Sequence, residues 1–366
     1  MLENWLRPLS NELLTYRDQL PEESFGKKVR IWGKEGTDIP ANSLVLLGIQ
    51  EPASELIRKE LYILSPPPEG ITLIDLGNAR KEEPGFLIPL LQELFESKVC
   101  TLLVSTHPRY LQAQFQAQQN LQRPVSLAVI DERIEDSGSS SRNDYLSELL
   151  KKPHPNLFHF SLLGLQSHLT APFVLRALEK RYFEVLRLGA LRTDLTQAEP
   201  YLRDADLIGF QLSAMRQMEA PGVSQPTPSG LFSEEACQIA RYAGMSDKLR
   251  AFGIYGFRPD LDRRRQTAQL CAHLVWYFAD GFGNRTQDFP ISTDGLLEYI
   301  VDFKAMDLHL TFWKSAKSGR WWLQVPEPPP QEMKRHWLIP CSYSDYSQAS
   351  NGELPSRLVN ALKRFR

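Results

Sequence analysis

The sequence has little that would tie it to a charged polymer or a bilayer. Its 42 Lys and Arg are offset by 44 Asp and Glu, for a formal net charge of -2, so no global field draws it toward phosphate backbones or anionic lipid. No apolar run approaches the roughly 20 residues that a membrane-spanning helix needs. The start, MLENWLRPLS, has neither the basic stretch nor the apolar core of an export signal. Cysteine is scarce: Cys100, Cys237, Cys271 and Cys341 lie far apart with no CxxC spacing, which argues against a disulfide scaffold or a zinc ribbon. GxxxxGKS, HExxH, GxSxG and GxGxxG are missing as well, which disfavours the commonest nucleotide, zincin and serine-hydrolase sites. The expectation is a soluble cytoplasmic protein with reduced thiols and with neither nucleic acid nor membrane as partner.

What is present is a large core. Of the 366 residues 42% are hydrophobic and 23% charged, too apolar a mix for disorder. From Val29 onward short apolar runs alternate with amphipathic stretches. VRIWG, SLVLLGI, ITLIDLG, CTLLVST, VSLAVIDE, LFHFSLLGL, FEVLRLG, DLIGFQLSA and LRAFGIYGF read as strands, being short and dense in β-branched and aromatic residues. PASELIRKELYIL, FLIPLLQELFES, RYLQAQFQAQQNL, FVLRALEKRY, EEACQIARYAG and RRRQTAQLCAHLVWYFADGF read as helices. Strands that are apolar throughout are buried on both faces, so the fold class expected is α/β, a three-layer, doubly wound, mainly parallel sheet. A helical segment over 1–28 would precede the α/β body at 29–288, and 289–366 would form an irregular aromatic extension packed on that body. The proline-rich stretch from Pro326 to Pro330 marks a turn or linker within the extension, and SGSSS at Ser137–Ser141 a loop.

In such sheets the functional crevice lies beyond the carboxyl ends of the strands. That rule selects Ser105, Thr106 and His107 after CTLLV, then Asp131, Glu132, Arg133 and Glu135 after LAVI. It also selects Gln211, Ser213 and Arg216 after LIGF, and Gly256 after GIY.

The block DADLIGFQLSAMRQMEAPGVSQPTPSGLFSEEACQIARYAG, followed by GIYGFRPDLDRRRQTAQLCAHLVWYF, resembles the ureohydrolase family of arginase, agmatinase and formimidoylglutamase, and is most similar to formimidoylglutamase-like members. Ala220-Pro221-Gly222, Pro228, Gly230-Leu231, Pro259 and Asp262 match the family frame, and the resemblance runs from about Val29 to Gly281. It implies an arginase-type sheet and hydrolysis of a guanidino or formimino carbon by hydroxide held between two manganese ions. A metal pair lowers the pKa of bridging water, and such hard ions take carboxylates supported by imidazole.

Carried over by resemblance, a ligand histidine falls on His107, but the glycines and aspartate before it are Val104, Ser105 and Thr106. The family's Asp-x-His-x-Asp falls on Asp131, Arg133 and Glu135. Its Asp-x-Asp pair falls on Gln211 and Ser213, its later aspartate on Arg216, and its substrate-clamping glutamate on Gly256, with Arg258 nearby. A guanidinium has no lone pair for a metal, and since unit charges a few ångströms apart interact by roughly 4 kcal/mol at an effective dielectric near 20, its place beside a dication is strongly unfavourable. The expectation is therefore a pseudoenzyme without cofactor that binds a ligand or partner. The alternative is an active hydrolase of a linear amidine with a reduced manganese site formed by His107, Asp131 and Glu135.

The plainer readings favour structure over chemistry. Asp131 and Glu135 would pair with Arg133, giving a neutral polar plug, against which stands a pocket in which Arg133, Arg216 and Arg258 hold a small anion. His154 and His159 have no acidic partner at ligand spacing and read as loop and strand-edge residues. Cys271 and His273 sit two apart on a helix, so they face different ways and serve packing. Trp313, Trp321 and Trp322, with Lys314, Lys317 and Arg320, cover apolar surface rather than stack on bases. The family resemblance leaves room for a homo-oligomer.

Overall fold

Successive residues of the central strands feed two separate apolar layers. Leu44 and Leu46 enter one buried cluster and Val45 and Leu47 the other; Ala128 and Ile130 alternate in the same way with Leu127 and Val129. This is the period of two expected of a strand covered on both faces. The computed structural model describes residues 2–66, 70–134, 145–146, 150, 156–288, 293–303, 308–326 and 337–364.

The main sheet is built from β1 (Leu6–Arg7), β2 (Arg30–Ile31), β3 (Leu44–Gly48), β4 (Leu73–Ala79), β5 (Cys100–Ser105), β6 (Val125–Ile130), β7 (Leu157–Leu165), β8 (Glu184–Arg187), β9 (Leu207–Gln211) and β10 (Ala251–Tyr255). Their order is β1-β4-β3-β5-β10-β9-β6-β7-β8, with β2 also against β4. Every pairing is parallel except that of β1 with β4. The nine strands read from sequence are all present.

Helices Asn11–Asp18, Glu51–Tyr62, Ala198–Asp204, Ser233–Gly244 and Gln266–Gly283 cover one face, supplying Leu13, Ile57, Leu202, Ile239 and Leu274 to its cluster. Helices Pro84–Glu96, Tyr110–Asn120 and Pro172–Lys180 cover the other with Leu90, Phe115 and Leu178. The three-layer arrangement is therefore the one expected. Among its buried polar groups is Arg58, with no solvent exposure, which grips Asp75 of β4 through two bonds of 2.7 and 2.9 Å.

The region after 289 departs from expectation, for it is not irregular. Strands β11 (Leu296–Phe303), β12 (Leu308–Ser315), β13 (Trp321–Gln324) and β14 (Leu338–Cys341) form an antiparallel sheet in sequential order. Helices Tyr343–Ser350 and Ser356–Arg364 follow, and Leu310, Phe312, Trp321, Leu323, Ala349 and Leu358 share one cluster. The alternation in LHLTFWKS is that of a sheet with one covered face. Next to long hydrophobic runs it is easily passed over. Of the proline cluster, Pro328, Pro329 and Pro330 lie outside the described residues, as does the SGSSS segment.

This second sheet is tied to the body through buried charge. Arg203 donates from Nη2 to the carbonyls of Trp321 and Cys341, both at 3.1 Å, and its guanidinium stands 4.5 Å from the Trp322 ring. Glu199 lies 2.9 Å from Arg203 Nε and 3.2 Å from Arg320 Nε. Of the tryptophans, Trp321 joins the second sheet's apolar cluster, and Trp322 is fully buried against Arg203.

Candidate functional site

Because β5, β10, β9 and β6 are adjacent and parallel, their carboxyl ends come to one edge of the sheet. Tyr255 registers with Ser105 on one side and Gln211 on the other, and Phe210 with Ile130. The sequence-selected positions His107, Asp131, Gln211, Ser213 and Gly256 therefore follow neighbouring strands. Asp131, Gln211 and Ser213 are buried, whereas His107, Arg133 and Gly256 are half-buried along the rim.

Asp131 is held by three donors. Its Oδ1 accepts from Ser213 Oγ at 3.0 Å and from the Glu132 N–H at 2.8 Å, and its Oδ2 accepts from Tyr145 Oη at 2.8 Å. Burial raises its pKa to about 6, against the opposing pull of these donors. Burial and the adjacent carboxylate likewise push the Tyr145 phenol well above its ordinary range, so it stays a donor.

Among the described residues Arg133 meets Glu132 rather than Asp131, one of the two carboxylates expected to pair with it. Its Nη2 lies 3.1 Å from Glu132 Oε1 and donates to Gln225 Oε1 at 2.6 Å. The reason is geometric: Asp131 is turned inward by Ser213 and Tyr145, while the fully buried Glu132 accepts from Thr227 Oγ1 at 3.0 Å and meets the guanidinium. Glu135 lies outside the described residues.

The other two arginines are also engaged. Arg216 stacks 4.5 Å above the Phe232 ring, and Arg258 grips Asp260 through bonds of 2.9 and 2.8 Å. At His107 the backbone N–H donates to Ser105 Oγ at 3.1 Å. Ser105 Oγ in turn donates to Gln50 Oε1 at 3.0 Å, which also accepts from the Thr106 N–H at 3.0 Å, and Gln50 Nε2 donates to Tyr110 Oη at 2.8 Å.

Gln211 has a different environment. It is 4% exposed, and its Oε1 has no hydrogen-bond partner among the described residues. Gly256, at φ +91°, brings bare backbone alongside the carboxamide; a Cβ there would stand 3.1 Å from Gln211 Nε2. A side chain at 256 would thus be strained and crowded at once.

His159 corrects another expectation. It is buried, with Nε2 2.7 Å from Glu184 Oε2 and 3.0 Å from Ser161 Oγ. The partner comes from the neighbouring strand, 25 positions away in sequence, where local spacing gives no sign of it. His154 lies outside the described residues. Cys271 is wholly buried and His273 exposed, on opposite sides of one helix as expected.

Sequence reasoning missed Gln50, Tyr145 and Thr227. Gln50 ends the run SLVLLGIQ and was available to the same strand-end rule. Tyr145 and Thr227 come from connecting segments that carry no period.

A pair of divalent ions bridged by hydroxide needs several carboxylates and imidazoles converging on one point. Here positions 133, 211 and 213 present a guanidinium, a carboxamide and a hydroxyl. The hydroxyl is bound to Asp131, a carboxylate that the resemblance assigns to the metal, and the guanidinium to Glu132 beside it. Among the described residues no group of three or more His, Cys, Asp or Glu is placed to hold a metal ion. These residues do not fit a manganese pair.

Residues 137–280 match the family model "Arginase family". Over that segment the chain is similar to the arginase family. Among similar proteins, formimidoylglutamase of Staphylococcus haemolyticus is 32% identical over 82 residues, covering 22% of this chain and 26% of the relative. That of Vibrio cholerae is 28% identical over 138 residues, covering 36% and 41%. The matches thus span between a quarter and about two fifths of these relatives' length. Among solved structures, formimidoylglutamase of Bacillus subtilis superposes with a TM-score of 0.61 at 16% identity, over 70% of this chain and 91% of that one. Trypanosoma cruzi formiminoglutamase with Mn2+2 gives 0.60 at 13% identity, over 67% and 94%. The arginase-type fold is common to all of them, and the metal recorded with the Trypanosoma enzyme belongs to that protein.

Proposed function

We propose that this chain of arginase-type fold has given up dimanganese hydrolysis and acts by binding a ligand or a protein partner in the cytoplasm. Residues 29–288 would form the binding body, and 289–366 a C-terminal unit resting on it. The observation that carries the reading is the hydrogen bond from Ser213 to Asp131 at 3.0 Å. At a position where the family resemblance implies a metal-binding carboxylate, this chain has a hydroxyl that itself engages Asp131, one of the two carboxylates left. The pairing of Arg133 with Glu132, at 3.1 Å, supports a neutralised crevice over one that attracts a small anion.

The test is metal analysis of the full chain purified with added manganese, together with assays for urea, ammonia or formamide released from arginine, agmatine or formiminoglutamate. The expected result is far less than two manganese ions per chain and no release. A tightly held pair of ions, or turnover of roughly 1 per second or more, would instead establish a working hydrolase with a rearranged site.

A further inference from the structure

Two cavities open on the helical layer that covers the first apolar cluster, and their charges differ. One, of about 580 Å³, is lined by Glu12, Lys59 and Arg265 among others. Its charges are matched: Lys59 Nζ lies 2.6 Å from Glu12 Oε1, and Arg265 Nη1 lies 3.5 Å from Glu60 Oε1. The other, of about 480 Å³, lies where helices Ser233–Gly244 and Gln266–Gly283 meet the loop after β9. Glu219 and Glu234 line it, and among the described residues no lysine or arginine does. Glu219 is fixed in place by the Ser233 N–H at 3.2 Å and by the Ser233 hydroxyl. Glu234 has neither a hydrogen bond nor an ion pair among the described residues. We infer that this second cavity binds a small organic ammonium ion, held at its charged end by Glu219 and Glu234 and along its hydrocarbon by Leu270 and Tyr277.

The chemistry of the lining selects that class. The volume falls in the range of small-molecule sites, about 300–1,000 Å³. An anion would meet two carboxylates with no countercharge. The helix N-termini that could hold one are already occupied: the Phe232 and Ser233 N–H groups donate to Glu235 and Glu219, and those of Thr267 and Ala268 to Asp262. A metal ion lacks a ligand set, since no group of three or more His, Cys, Asp or Glu is placed to hold one among the described residues. His273 has one side open to solvent, yet desolvation by its neighbours lowers its pKa, so at neutral pH the imidazole adds no positive charge to the lining. An ammonium supplies several donors, and the lining offers acceptors in the two carboxylates and in the carboxamides of Gln238 and Gln269. The apolar part of such a ligand has a floor in Leu270 and Cys237, both buried; desolvation pushes that thiol up to about 12, so it stays uncharged. Tyr277, 38% exposed, adds an aromatic ring, a surface that attracts cations.

The inference is independent of the non-hydrolytic reading, because none of the strand-end positions selected from sequence lines this cavity. Butylammonium chloride is titrated into the full chain at constant ionic strength, with 1-butanol and sodium butanoate as neutral and anionic isosteres. Binding is followed by calorimetry and by melting temperature. Butylammonium should bind saturably and raise the melting temperature, and neither isostere should. Glu234→Gln should weaken that binding about tenfold or more, the loss of one charge-assisted contact. Glu12→Gln, in the cavity whose charges are matched, should leave it unchanged. The idea is overturned if butylammonium does not saturate, if sodium chloride or 1-butanol produces the same response, or if Glu234→Gln binds butylammonium as the parent does. Glu234 is exposed, so its variant is expected to fold. Should it not, Glu219→Gln, whose amide oxygen still accepts from Ser233, decides by the same comparison.

Discussion

Ser213 and Asp131 meet at 3.0 Å across the carboxyl ends of β9 and β6, hydroxyl to carboxylate. The bond joins the loops after two neighbouring strands, a task that a shared ion performs in a metal site. If that exchange is what separates this chain from a metal-binding one, restoring ligands should reverse it. The triple variant Arg133→His, Gln211→Asp, Ser213→Asp is expected to be less stable than the parent without metal, because like charges are then buried together. Manganese should raise its melting temperature and bind on the order of tenfold or more tighter than to the parent. Equal manganese response in parent and variant would show that the lost ligands are not what sets metal affinity.

Asp131 gives the site a pH signature. Its pKa is raised to about 6 by burial, from an ordinary 3.8. The folded state therefore holds a proton that the unfolded state releases earlier. The contribution is fully present below about pH 4 and is lost as pH rises through about 6, for a total of about 3 kcal/mol. Asp131→Asn removes the titration. The stability of the variant relative to the parent should rise between about pH 4 and 6 and then level off. Denaturant midpoints measured across that range check it, and a flat difference would refute the assignment.

Most of the fold was legible because its signals are local. The nine strands and the helices between them show their periods in windows of five to eighteen residues, as in SLVLLGI and QTAQLCAHLVWYFADGF. The strand-end rule also selected Gln211, Ser213 and Asp131, which the structure places at the carboxyl ends of the neighbouring strands β9 and β6. What stayed hidden depends on contacts distant in sequence. Asp131 and Tyr145 are 14 positions apart, Asp131 and Ser213 82, and nothing near Asp131 announces either partner. The identity of Arg133's partner turned on which way two adjacent carboxylates point, a matter decided by those same distant donors. The second sheet was missed for a different reason, since its strands carry charged and polar residues on one face and lack the continuous apolar runs of the first.

Arg58 and Asp75 form a second buried relationship with a measurable consequence. Neither side chain is exposed, and Asp75 Oδ2 also accepts from Tyr62 Oη at 2.6 Å. Arg58→Met leaves a buried carboxylate supported only by Tyr62 and the Gly77 N–H. Breaking such a pair by removing one partner costs about 3–5 kcal/mol. The double variant Arg58→Met, Asp75→Leu removes both charges and should recover much of that loss. Urea midpoints of the three proteins test it, and a double variant no better than the single one would show that Asp75 has a role beyond answering Arg58.

Arg203 decides how firmly the second sheet is held. Its Nη2 supplies both bonds to the carbonyls of Trp321 and Cys341, its Nε lies 2.9 Å from Glu199, and its plane covers the fully buried Trp322. Arg203→Ala leaves two carbonyls without that donor and opens space beside an indole, while Glu199 retains Arg320 at 3.2 Å. Losing charge-assisted bonds of this kind costs about 1.5–3 kcal/mol each. The loss falls on the join between the two sheets, since residues such as Leu310, Phe312 and Leu323 pack within the second sheet's own cluster. Limited proteolysis of the parent should therefore release no folded C-terminal fragment, because the docked strands are protected. Arg203→Ala should be cleaved at least several-fold faster between about residues 286 and 296, with the α/β body surviving as the stable product. Release of a folded fragment from the parent at the same rate would mean that the C-terminal unit does not need this arginine, and would make it an independent domain.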